Sequence, residues 1–337
     1  MPRLLIRADA GEEIGLGHVM RCRTLALAMR DLGWEPTLLT VSDPGKIWSD
    51  ISGAAMPWVP TDGGSAQGFK TAMAAKMHRA DLLVVDHYGF TTEDFTALWA
   101  AGPRLAVIDD LADRILPVDA VINPNPGAVP EPYAKRGVPL CLCGETYALV
   151  RPEIRAFAGT PVPADGHILV TLGGGDVQNR LMDILASLSS EAREAPVVAA
   201  VGPACPVDRL CEWEQGGARR RLVRNVDSLP GLIGGAAVAV TGGGTTLWET
   251  CCIGRPSVAV VWVENQRRTL DIVARYDTGV VVDARSDLPV QSIVEAVRRL
   301  KREPVATAGM IARQRAMIDG WGADRVAAAL TAMMKTG

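Results

Sequence analysis

Residues that hold metal ions are scarce in this chain of 337 residues, and patterns that mark several other protein classes are missing. Only four histidines are present, and no two of the seven cysteines form a CxxC pair, which argues against a zinc site. No apolar run reaches the ~18 residues that a membrane span needs, so we expect no membrane partner. No repeat of about 20–50 residues occurs, which excludes solenoids and propellers.

The chain also has no large excess of positive or negative residues, since its formal net charge is only −3 and no block of basic residues occurs. We therefore expect no nucleic acid partner, whereas a small acidic ligand such as a nucleotide is not excluded, because local geometry decides its binding. An odd number of cysteines without a secretory signal is typical of reduced, buried thiols. We therefore expect a cytoplasmic protein.

Short runs rich in valine, isoleucine and leucine alternate with helical patterns along the whole chain. The runs are continuously apolar, as strands buried on both faces of a parallel sheet are. They read RLLIRA, EPTLLTV, LLVVDHY and RLAVIDD in the first half, and HILVTLGG, PVVAAVG, AAVAVTGG and PSVAVVWV in the second. The segments between them, such as DILASLSSEAR and TLDIVARY, have helical periodicity. The predicted fold class is α/β with doubly wound, Rossmann-like sheets.

The length indicates two domains, because single cores stop growing at about 250–300 residues. Three prolines punctuate a stretch of lower apolar density, which predicts a linker at 151–166. We expect an N-terminal domain at 1–150 and a C-terminal domain at 167–337, with a cleft between the carboxyl ends of the two sheets. The last segment, DRVAAALTAMMK, predicts an amphipathic helix that packs back across the domains.

The stretch IRADAGEEIGLGHVMRCRTLALAM, residues 6–29, joins the first predicted strand to the first predicted helix. Such turns lie at the carboxyl ends of parallel strands, where ligands bind. Gly15 and Gly17 allow the backbone to approach a ligand closely. His18 falls at the start of the helix, where the dipole disfavours an imidazolium, so a neutral ring that accepts a proton is expected there. The alternative is a loop histidine that caps the helix.

Polar residues close two of the apolar strands in the first half. Asp86, His87 and Tyr88 end one strand, and Asp109 and Asp110 end the next. They would lie at the same carboxyl edge as His18. The alternative is that these strand ends simply turn to solvent.

Glycine-rich turns follow two strands of the second half. TLGGGD contains Gly173 and Gly174, and backbone N–H groups in such a turn form an anion site. The turn has neither the GxGxxG spacing nor the lysine of a Walker A loop, so dinucleotide and P-loop sites are not predicted. The alternative is a tight turn without a ligand.

TGGGTTLWET, residues 241–250, places Gly243, Gly244, Thr245 and Thr246 before a helix that carries Glu249. Glycines and threonine hydroxyls at a helix start suit a diphosphate, and the glutamate could accept hydrogen bonds from both ribose hydroxyls. The alternative is a capping box with Thr246 as N-cap, and both interpretations can hold together.

Further along, VENQ contains Asn265 and Gln266, which can bind a sugar without adding charge. The alternative is an ordinary loop without a ligand.

Together these pieces resemble the PseG-type nucleotide-sugar hydrolases of pseudaminic acid biosynthesis. The motifs R-x-D-x-x-x-x-I-G-x-G-H-x-x-R, D-H-Y, L-x-R-P-E, T-x-G-G-x-D-x-x-N, G-G-x-T-x-x-E and N-Q occur in that order between residue 3 and about residue 266. That family removes UDP from UDP-2,4-diacetamido-2,4,6-trideoxy-β-L-altropyranose, has a GT-B fold and is related to the MurG glycosyltransferase.

The resemblance implies a role for each matching position. His18 would be the catalytic residue. The substrate sugar would lie near Gly17, Arg21, Asp86, Tyr88, Asn265 and Gln266. The nucleotide would bind at Gly173, Gly174, Gly243, Gly244, Thr245, Thr246 and Glu249. Gly175 and Thr245 stand where the family pattern has serine, which leaves the backbone donors intact and leaves the exact sugar open.

The function implied is hydrolysis of a UDP-diacetamido sugar with inversion, giving UDP and the free sugar, without metal or cofactor. The oligomeric state is left open, with a monomer favoured. Two alternatives remain. One is an inverting GT-B glycosyltransferase, and the sequence has no evident apolar or basic patch of the kind that faces a membrane in such enzymes. The other is a nucleotide-sugar sensor without catalysis.

Overall fold

The computed structural model describes residues 1–10, 16–62, 67–173, 178–193, 195–202, 205, 207–224 and 228–335. The side chains of residues 46, 178, 190, 192, 193 and 265 are outside this description. The chain divides into two compact units, one formed by Met1–Arg151 with Trp321–Gly337 and the other by Pro152–Gly320.

The first unit is built on a parallel sheet whose apolar strands are covered on both faces by helices. Its strands are β1 (Arg3–Ala8), β2 (Glu35–Thr40), β3 (Trp58–Pro60), β4 (Leu82–Asp86), β5 (Arg104–Ile108), β6 (Ala120–Asn123) and β7 (Leu140–Cys143). Their order is β3-β2-β1-β4-β5-β6-β7. Because the order reverses between β1 and β4, the carboxyl ends of these two strands form the switch point where ligands bind in such sheets.

The helices of the first unit are α1 (Gly17–Asp31), α2 (Gln67–Met77), α3 (Thr92–Ala100), α4 (Glu131–Ala134) and α12 (Gly322–Met333). The first predicted helix corresponds to α1, whose Cys22, Leu25 and Met29 are fully buried. The helix is followed by Gly33, whose φ of 86° is in the left-handed region that favours glycine.

The second unit repeats this plan. Its strands are β8 (His167–Thr171), β9 (Val197–Ala200), β10 (Arg220–Val223), β11 (Ala236–Gly242), β12 (Ser257–Val261) and β13 (Val280–Asp283), in the parallel order β10-β9-β8-β11-β12-β13. Its helices are α5 (Gln178–Ser187), α6 (Asp208–Gln215), α7 (Leu229–Gly234), α8 (Thr245–Ile253), α9 (Arg267–Tyr276), α10 (Val290–Arg302) and α11 (Pro304–Met317). The order reverses between β8 and β11, so the switch point of this sheet lies there. One glycine-rich turn follows each of these two strands.

The segment predicted as a linker begins at the boundary between the units, which falls after Arg151. Its far part is fixed to the second unit by the fully buried Arg255, which donates hydrogen bonds to the carbonyl and hydroxyl oxygens of Thr160 at 3.0 and 2.7 Å. Arg255 also donates to the carbonyl of Gly234, at the carboxyl end of α7.

The helix predicted at the end of the chain, α12, packs on α1 of the first unit. Val326, Ala327 and Leu330 are fully buried there. The indole nitrogen of Trp34 donates to the hydroxyl of Thr331 at 3.0 Å. No helix in the described part of the chain is long and apolar enough to cross a membrane.

Candidate functional site

His18 and Asp86 meet at the switch point of the first sheet. His18 is the second residue of α1, and Asp86 is the last residue of β4 and pairs with Ala8 of β1. The ring Nδ1 lies 2.7 Å from Asp86 Oδ1. Asp86 is 1% exposed, so this strand end does not turn to solvent.

The charge on Asp86 fixes which nitrogen of His18 carries the proton. Burial on its own would raise the pKa of Asp86, but Arg21 and then His18 outweigh it and hold this pKa well below its usual range. An ionised Asp86 accepts a hydrogen bond, so Nδ1 of His18 carries the proton. The lone pair of a neutral ring is then on Nε2, which makes no hydrogen bond to any described residue.

Arg21 is committed to two carboxylates. Its Nε and Nη2 donate to Asp86, both at 2.6 Å, and Nη1 and Nη2 donate to Asp110 at 2.9 and 3.0 Å. The residue is only 8% exposed. These contacts give Arg21 the geometry of a residue that positions Asp86, and its predicted place near the sugar stays a prediction.

Tyr88 borders His18 on the open side of the site. The two rings meet edge to face with their centroids 4.8 Å apart, and the tyrosine is 39% exposed. Its hydroxyl donates to Asp110 Oδ2 at 2.5 Å. Gly17 is exposed and directly precedes His18 at the start of α1. Gly17 and Tyr88 thus both lie next to His18.

Asp110 and Asn125 belong to this cluster and were not among the predicted site residues. Asn125 donates to Asp110 Oδ1 at 2.7 Å. Burial on its own would raise the pKa of Asp110, and Arg21 outweighs it and lowers that pKa. The polar end of β5 was a signal for Asp110, whereas Asn125 follows β6, a strand that the sequence did not predict.

His87 forms a separate cluster with Asp9 and Arg7. Its Nδ1 accepts from the backbone N–H of Gly89 at 2.9 Å, so Nε2 donates to Asp9 at 3.1 Å. Arg7, 1% exposed, donates to both oxygens of Asp9 at 2.5 and 2.7 Å. Both nitrogens of His87 are thus used, which indicates a structural role at the end of β1.

In the second unit the chain just after β8 lies against the end of β11. Gly173 follows β8 with a φ of 89°, in the region that favours glycine. A Cβ on Gly242, the last residue of β11, would stand 2.6 Å from the carbonyl oxygen of Leu172. The backbone approach therefore requires glycine at 242. Gly15 and Gly174, which the sequence also singled out, lie outside the described residues.

The helix start predicted to hold the diphosphate is formed by α8. It begins at Thr245 with Gly244 as N-cap, and no side chain caps it. The capping box with Thr246 as N-cap is therefore wrong, because Thr246 is already inside the helix. Uncapped N–H groups at a helix start can bind an anion. Glu249 lies one turn further on and is 2% exposed.

Gln266 lies beside this helix start. It ends a 3₁₀ turn after β12, and its side-chain atoms lie 3.3 and 3.8 Å from where Cβ atoms on Gly243 and Gly244 would be. The hydroxyl of Thr269 holds the carbonyl of Gly243 at 2.8 Å. The backbone of Asn265 is in the same turn, and its side chain is outside the description.

The predicted site residues thus form two groups. Gly17, His18, Arg21, Asp86 and Tyr88 meet in the first unit and offer a base. Gly173, Gly243, Gly244, Thr245, Thr246 and Gln266 surround the glycine-rich turns and the helix start of the second unit and offer backbone N–H donors to an anion. Among the described residues, no group of three or more histidine, cysteine, aspartate or glutamate side chains is arranged to hold a metal ion.

Comparison with known proteins adds two sequence relatives. No family model matches the chain. The chain is 24% identical over 340 residues to the spore coat polysaccharide biosynthesis protein SpsG of Bacillus subtilis, with 96% of each protein aligned. It is 26% identical over 191 residues to the UDP-2,4-diacetamido-2,4,6-trideoxy-beta-L-altropyranose hydrolase of Campylobacter jejuni, with 55% of this chain and 65% of that enzyme aligned.

Solved structures share the fold over nearly the whole chain. A putative UDP-N-acetylglucosamine 2-epimerase of Listeria monocytogenes matches with a TM-score of 0.69 at 12% identity, covering 99% of this chain and 97% of that one. MurG of Acinetobacter baumannii matches with a TM-score of 0.64 at 13% identity, covering 98% and 100%. The GT-B fold class predicted from the sequence is confirmed, and the cleft between the domains stays a prediction.

Proposed function

We propose that this protein hydrolyses a UDP-2,4-diacetamido-2,4,6-trideoxy sugar to UDP and the free sugar. The observation that carries the proposal is the His18–Asp86 pair at the switch point of the first sheet, with Nδ1 and Oδ1 2.7 Å apart. The substrate class is supported by the ordered motifs and by the activity for which the Campylobacter relative is named, and that relative aligns with 55% of this chain.

In the proposed reaction His18 removes a proton from water. Nε2 accepts the proton while the water oxygen bonds to the anomeric carbon, and Asp86 stabilises the imidazolium that forms. The bond from the anomeric carbon to the diphosphate oxygen breaks on the opposite face, and its electron pair leaves with UDP. The sugar is released with inverted configuration.

The second unit would bind the leaving group. The N–H groups at the start of α8 and in the turn at Gly173 would meet the negative charge that develops on UDP, and fixed dipoles of this kind need no reorganisation during the reaction. Glu249 would hold the ribose, and Asn265, Gln266 and Tyr88 would contact the sugar. With the diphosphate charge met in this way, no strong general acid is needed.

The experiment incubates the protein with a panel of UDP-2,4-diacetamido sugars in the absence of any acceptor. Released UDP is quantified, and proton NMR follows the anomeric signal of the sugar as it appears. We expect one stereoisomer to be turned over, with the opposite anomeric configuration formed first. Retained configuration would contradict the mechanism, and turnover of no panel member without an acceptor would contradict the hydrolase.

An inverting glycosyltransferase is the second candidate, in which an acceptor hydroxyl takes the place of water. One observation favours it: Phe69, Met73 and Met77 on α2 are exposed, an apolar surface that a hydrolase of free nucleotide sugars does not need. If UDP release begins only when an acceptor alcohol is added, the transferase is the better description.

A further inference from the structure

An open cavity lies at the amino edge of the second sheet, the edge opposite to the glycine-rich turns. Its volume is about 440 Å³, which is within the range of pockets that hold small ligands. It is lined by the starts of β8, β9 and β10 and by residues that precede β8, β9, β10 and β11. We name it the amino-edge cavity. Because the predicted nucleotide residues follow the carboxyl ends of β8 and β11, this cavity is separate from the candidate functional site.

Most of the surface of the amino-edge cavity is apolar. Val198 is 4% exposed, and Pro163 and Pro196 line the cavity with it. Gly166 and Gly235 let two segments of the chain meet at this wall, since a Cβ on Gly166 would stand 2.9 Å from the carbonyl oxygen of Gly235. A wall of this kind suits an apolar body or a ring better than a bare inorganic ion.

Positive charge is concentrated where β10 borders the cavity. Arg219, Arg220 and Arg221 are consecutive there. Among the described residues that line the cavity, Asp165 is the only acid. Arg220 donates to the carbonyl of Trp213 at 3.2 Å and lies over that ring. Arg221 is exposed and available to an anion, because its guanidinium has no hydrogen bond or ion pair with any described residue.

The acids of helix α6 do not cancel this charge. α6 packs through Trp213 into the core cluster that holds Val197, whereas the cavity is lined by Val198. Successive residues of a strand point to opposite faces of the sheet, so α6 covers the other face. Glu214 of α6 accepts the backbone N–H of Leu222 at 2.7 Å. Helix α7, which leads into the cavity wall, has no charged residue.

His167 brings an unused nitrogen to the same wall. Its Nε2 is buried and has no hydrogen-bond partner among the described residues. Burial lowers the pKa of His167, against a hydrogen bond to the Leu232 carbonyl that on its own would raise it, and the nearby charge of Arg221 lowers this pKa further. The ring is therefore neutral at pH 7, and it lies near enough to Arg221 to sense a charge bound there.

We propose that the amino-edge cavity binds a small organic anion, with its carboxylate or phosphate at Arg221 and its apolar body or ring against Val198 and Pro196. A guanidinium forms paired hydrogen bonds with either kind of anion. The apolar wall adds affinity that a bare phosphate ion does not obtain. The proposal is independent of the proposed function, since this ligand binds at the edge of the sheet that the proposed reaction does not use.

Calorimetry on the full chain tests the proposal with four probes: phenyl phosphate, benzoate, inorganic phosphate and benzyl alcohol. The last two each lack one of the two features, the body or the charge. We expect at least one aromatic anion to bind ~10-fold or more tightly than either of them, and the preferred one identifies the anionic group. Saturating UDP should leave this binding unchanged. The ring-proton NMR signal of His167, assigned by its loss in His167→Gln, should shift when the aromatic anion binds.

Arg221→Gln should weaken binding of the aromatic anion by ~10-fold or more, because the paired hydrogen bonds are lost. Arg221→Lys should keep the part of the affinity that depends on charge alone. The matched control is Arg299→Gln on α10. Arg299 is also exposed, its guanidinium has no partner among the described residues, and its variant should bind the probes like the parent. Thermal melts show whether each variant is folded.

A parent that binds none of the probes overturns the proposal, and so does equal weakening in Arg221→Gln and Arg299→Gln. Inorganic phosphate that binds as tightly as the aromatic anions would show an adventitious ion only, and displacement of the probe by UDP would place it at the nucleotide site. Both of these results also contradict the proposal. None of the readouts depends on turnover, so a failed hydrolase assay and a failed cavity assignment remain distinguishable.

Discussion

At the scale of single residues, the carboxylates at the carboxyl edge of the first sheet are held by arginines. Asp86 and Asp110 share Arg21, and Asp109 lies 3.3 Å from Arg114. Buried carboxylates without such partners would protonate. Because Asp86 stays ionised, it accepts the Nδ1 proton of His18 and directs the basic nitrogen outward. Asp86 and Arg21 thus decide which nitrogen of His18 can act as the base.

Asp86→Asn is expected to lower kcat by about 10²-fold or more. The carboxamide can donate to Nδ1, which would place the proton on Nε2 and remove the base. UDP affinity, measured by calorimetry, should stay near that of the parent, because the predicted nucleotide residues are in the second unit. Cys22→Ala is the control, since Cys22 Sγ also contacts Asp86, at 3.6 Å, but on the other oxygen. Equal losses in both variants would contradict a specific role for the His18 contact.

Acid should destabilise the protein through Asp9 and Asp86. Burial on its own would raise the pKa of Asp9, but hydrogen bonds from His87 and Arg7 outweigh it and lower this pKa well below its ordinary value of 3.8. The unfolded chain then binds more protons than the folded one, so the stabilisation is complete above about pH 4 and is lost as pH falls further. Melting temperatures from pH 7 to pH 2.5 measure this.

Asp9→Asn serves as the comparison in that titration. It should be less stable at pH 7 by about 3–5 kcal/mol, because Arg7 stays buried without its carboxylate. The difference in stability between Asp9→Asn and the parent should become smaller as pH falls below 4. A constant difference down to pH 2.5 would show that Asp9 is not the titrating group.

At the scale of elements, the sequence predicted the long central strands and missed five short ones. β1, β4, β5, β8 and β11 have five to seven residues each, most of them apolar and buried. The strands β3, β6, β7, β10 and β13 have three or four residues each. So short a run carries little periodicity, and its pairing depends on a neighbour that lies far away in the sequence.

The exposed apolar side chains of helix α2 show a different limit of sequence patterns. Phe69, Met73 and Met77 recur at helical spacing, which is the usual sign of a buried face. In the structure these three side chains are exposed, and the face of α2 that packs on α3 instead carries Gly68, which approaches Asp94 closely. Local sequence does not contain that contact, so the apolar patch was not evident before the structure.

Helix α8 provides a test of the nucleotide site. The structure removes the capping-box explanation for Glu249, since Gly244 is the N-cap. Glu249→Gln should weaken UDP binding by about 1.5–3 kcal/mol, roughly 10- to 150-fold in Kd, if the carboxylate accepts hydrogen bonds from the ribose hydroxyls. The control is Thr250→Val on the same helix. The Thr250 hydroxyl donates to the backbone carbonyl of Thr246 one turn earlier. Unchanged UDP affinity in Glu249→Gln, measured by calorimetry, would remove the ribose assignment.

At the scale of the whole molecule, the order of the strands is what assembles the candidate site. His18 and Asp86 are 68 residues apart and meet because β1 and β4 are neighbours. A doubly wound sheet could be predicted, and with it the edge at which ligands bind, but the side-chain pairs could not. The packing of α12 on α1, about 300 residues away in the chain, likewise depends on contacts that no local pattern contains.

The whole enzyme is expected to work without a metal ion. In the proposed mechanism backbone N–H groups meet the diphosphate, and the carboxylates near His18 are already paired with arginines. Turnover of a UDP-2,4-diacetamido sugar should therefore persist in excess EDTA. Activity that disappears in EDTA and returns with magnesium would contradict this part of the mechanism.

The central claim is that His18 acts on the reacting water and not on the nucleotide. The most direct measurement compares the parent with His18→Asn, taking acceptor-free kcat, UDP affinity by calorimetry and a thermal melt on the same preparations. The account predicts a kcat lower by about 10²-fold or more with UDP affinity and melting temperature close to those of the parent. A near-parent kcat, or loss of UDP binding together with the fold, would contradict it.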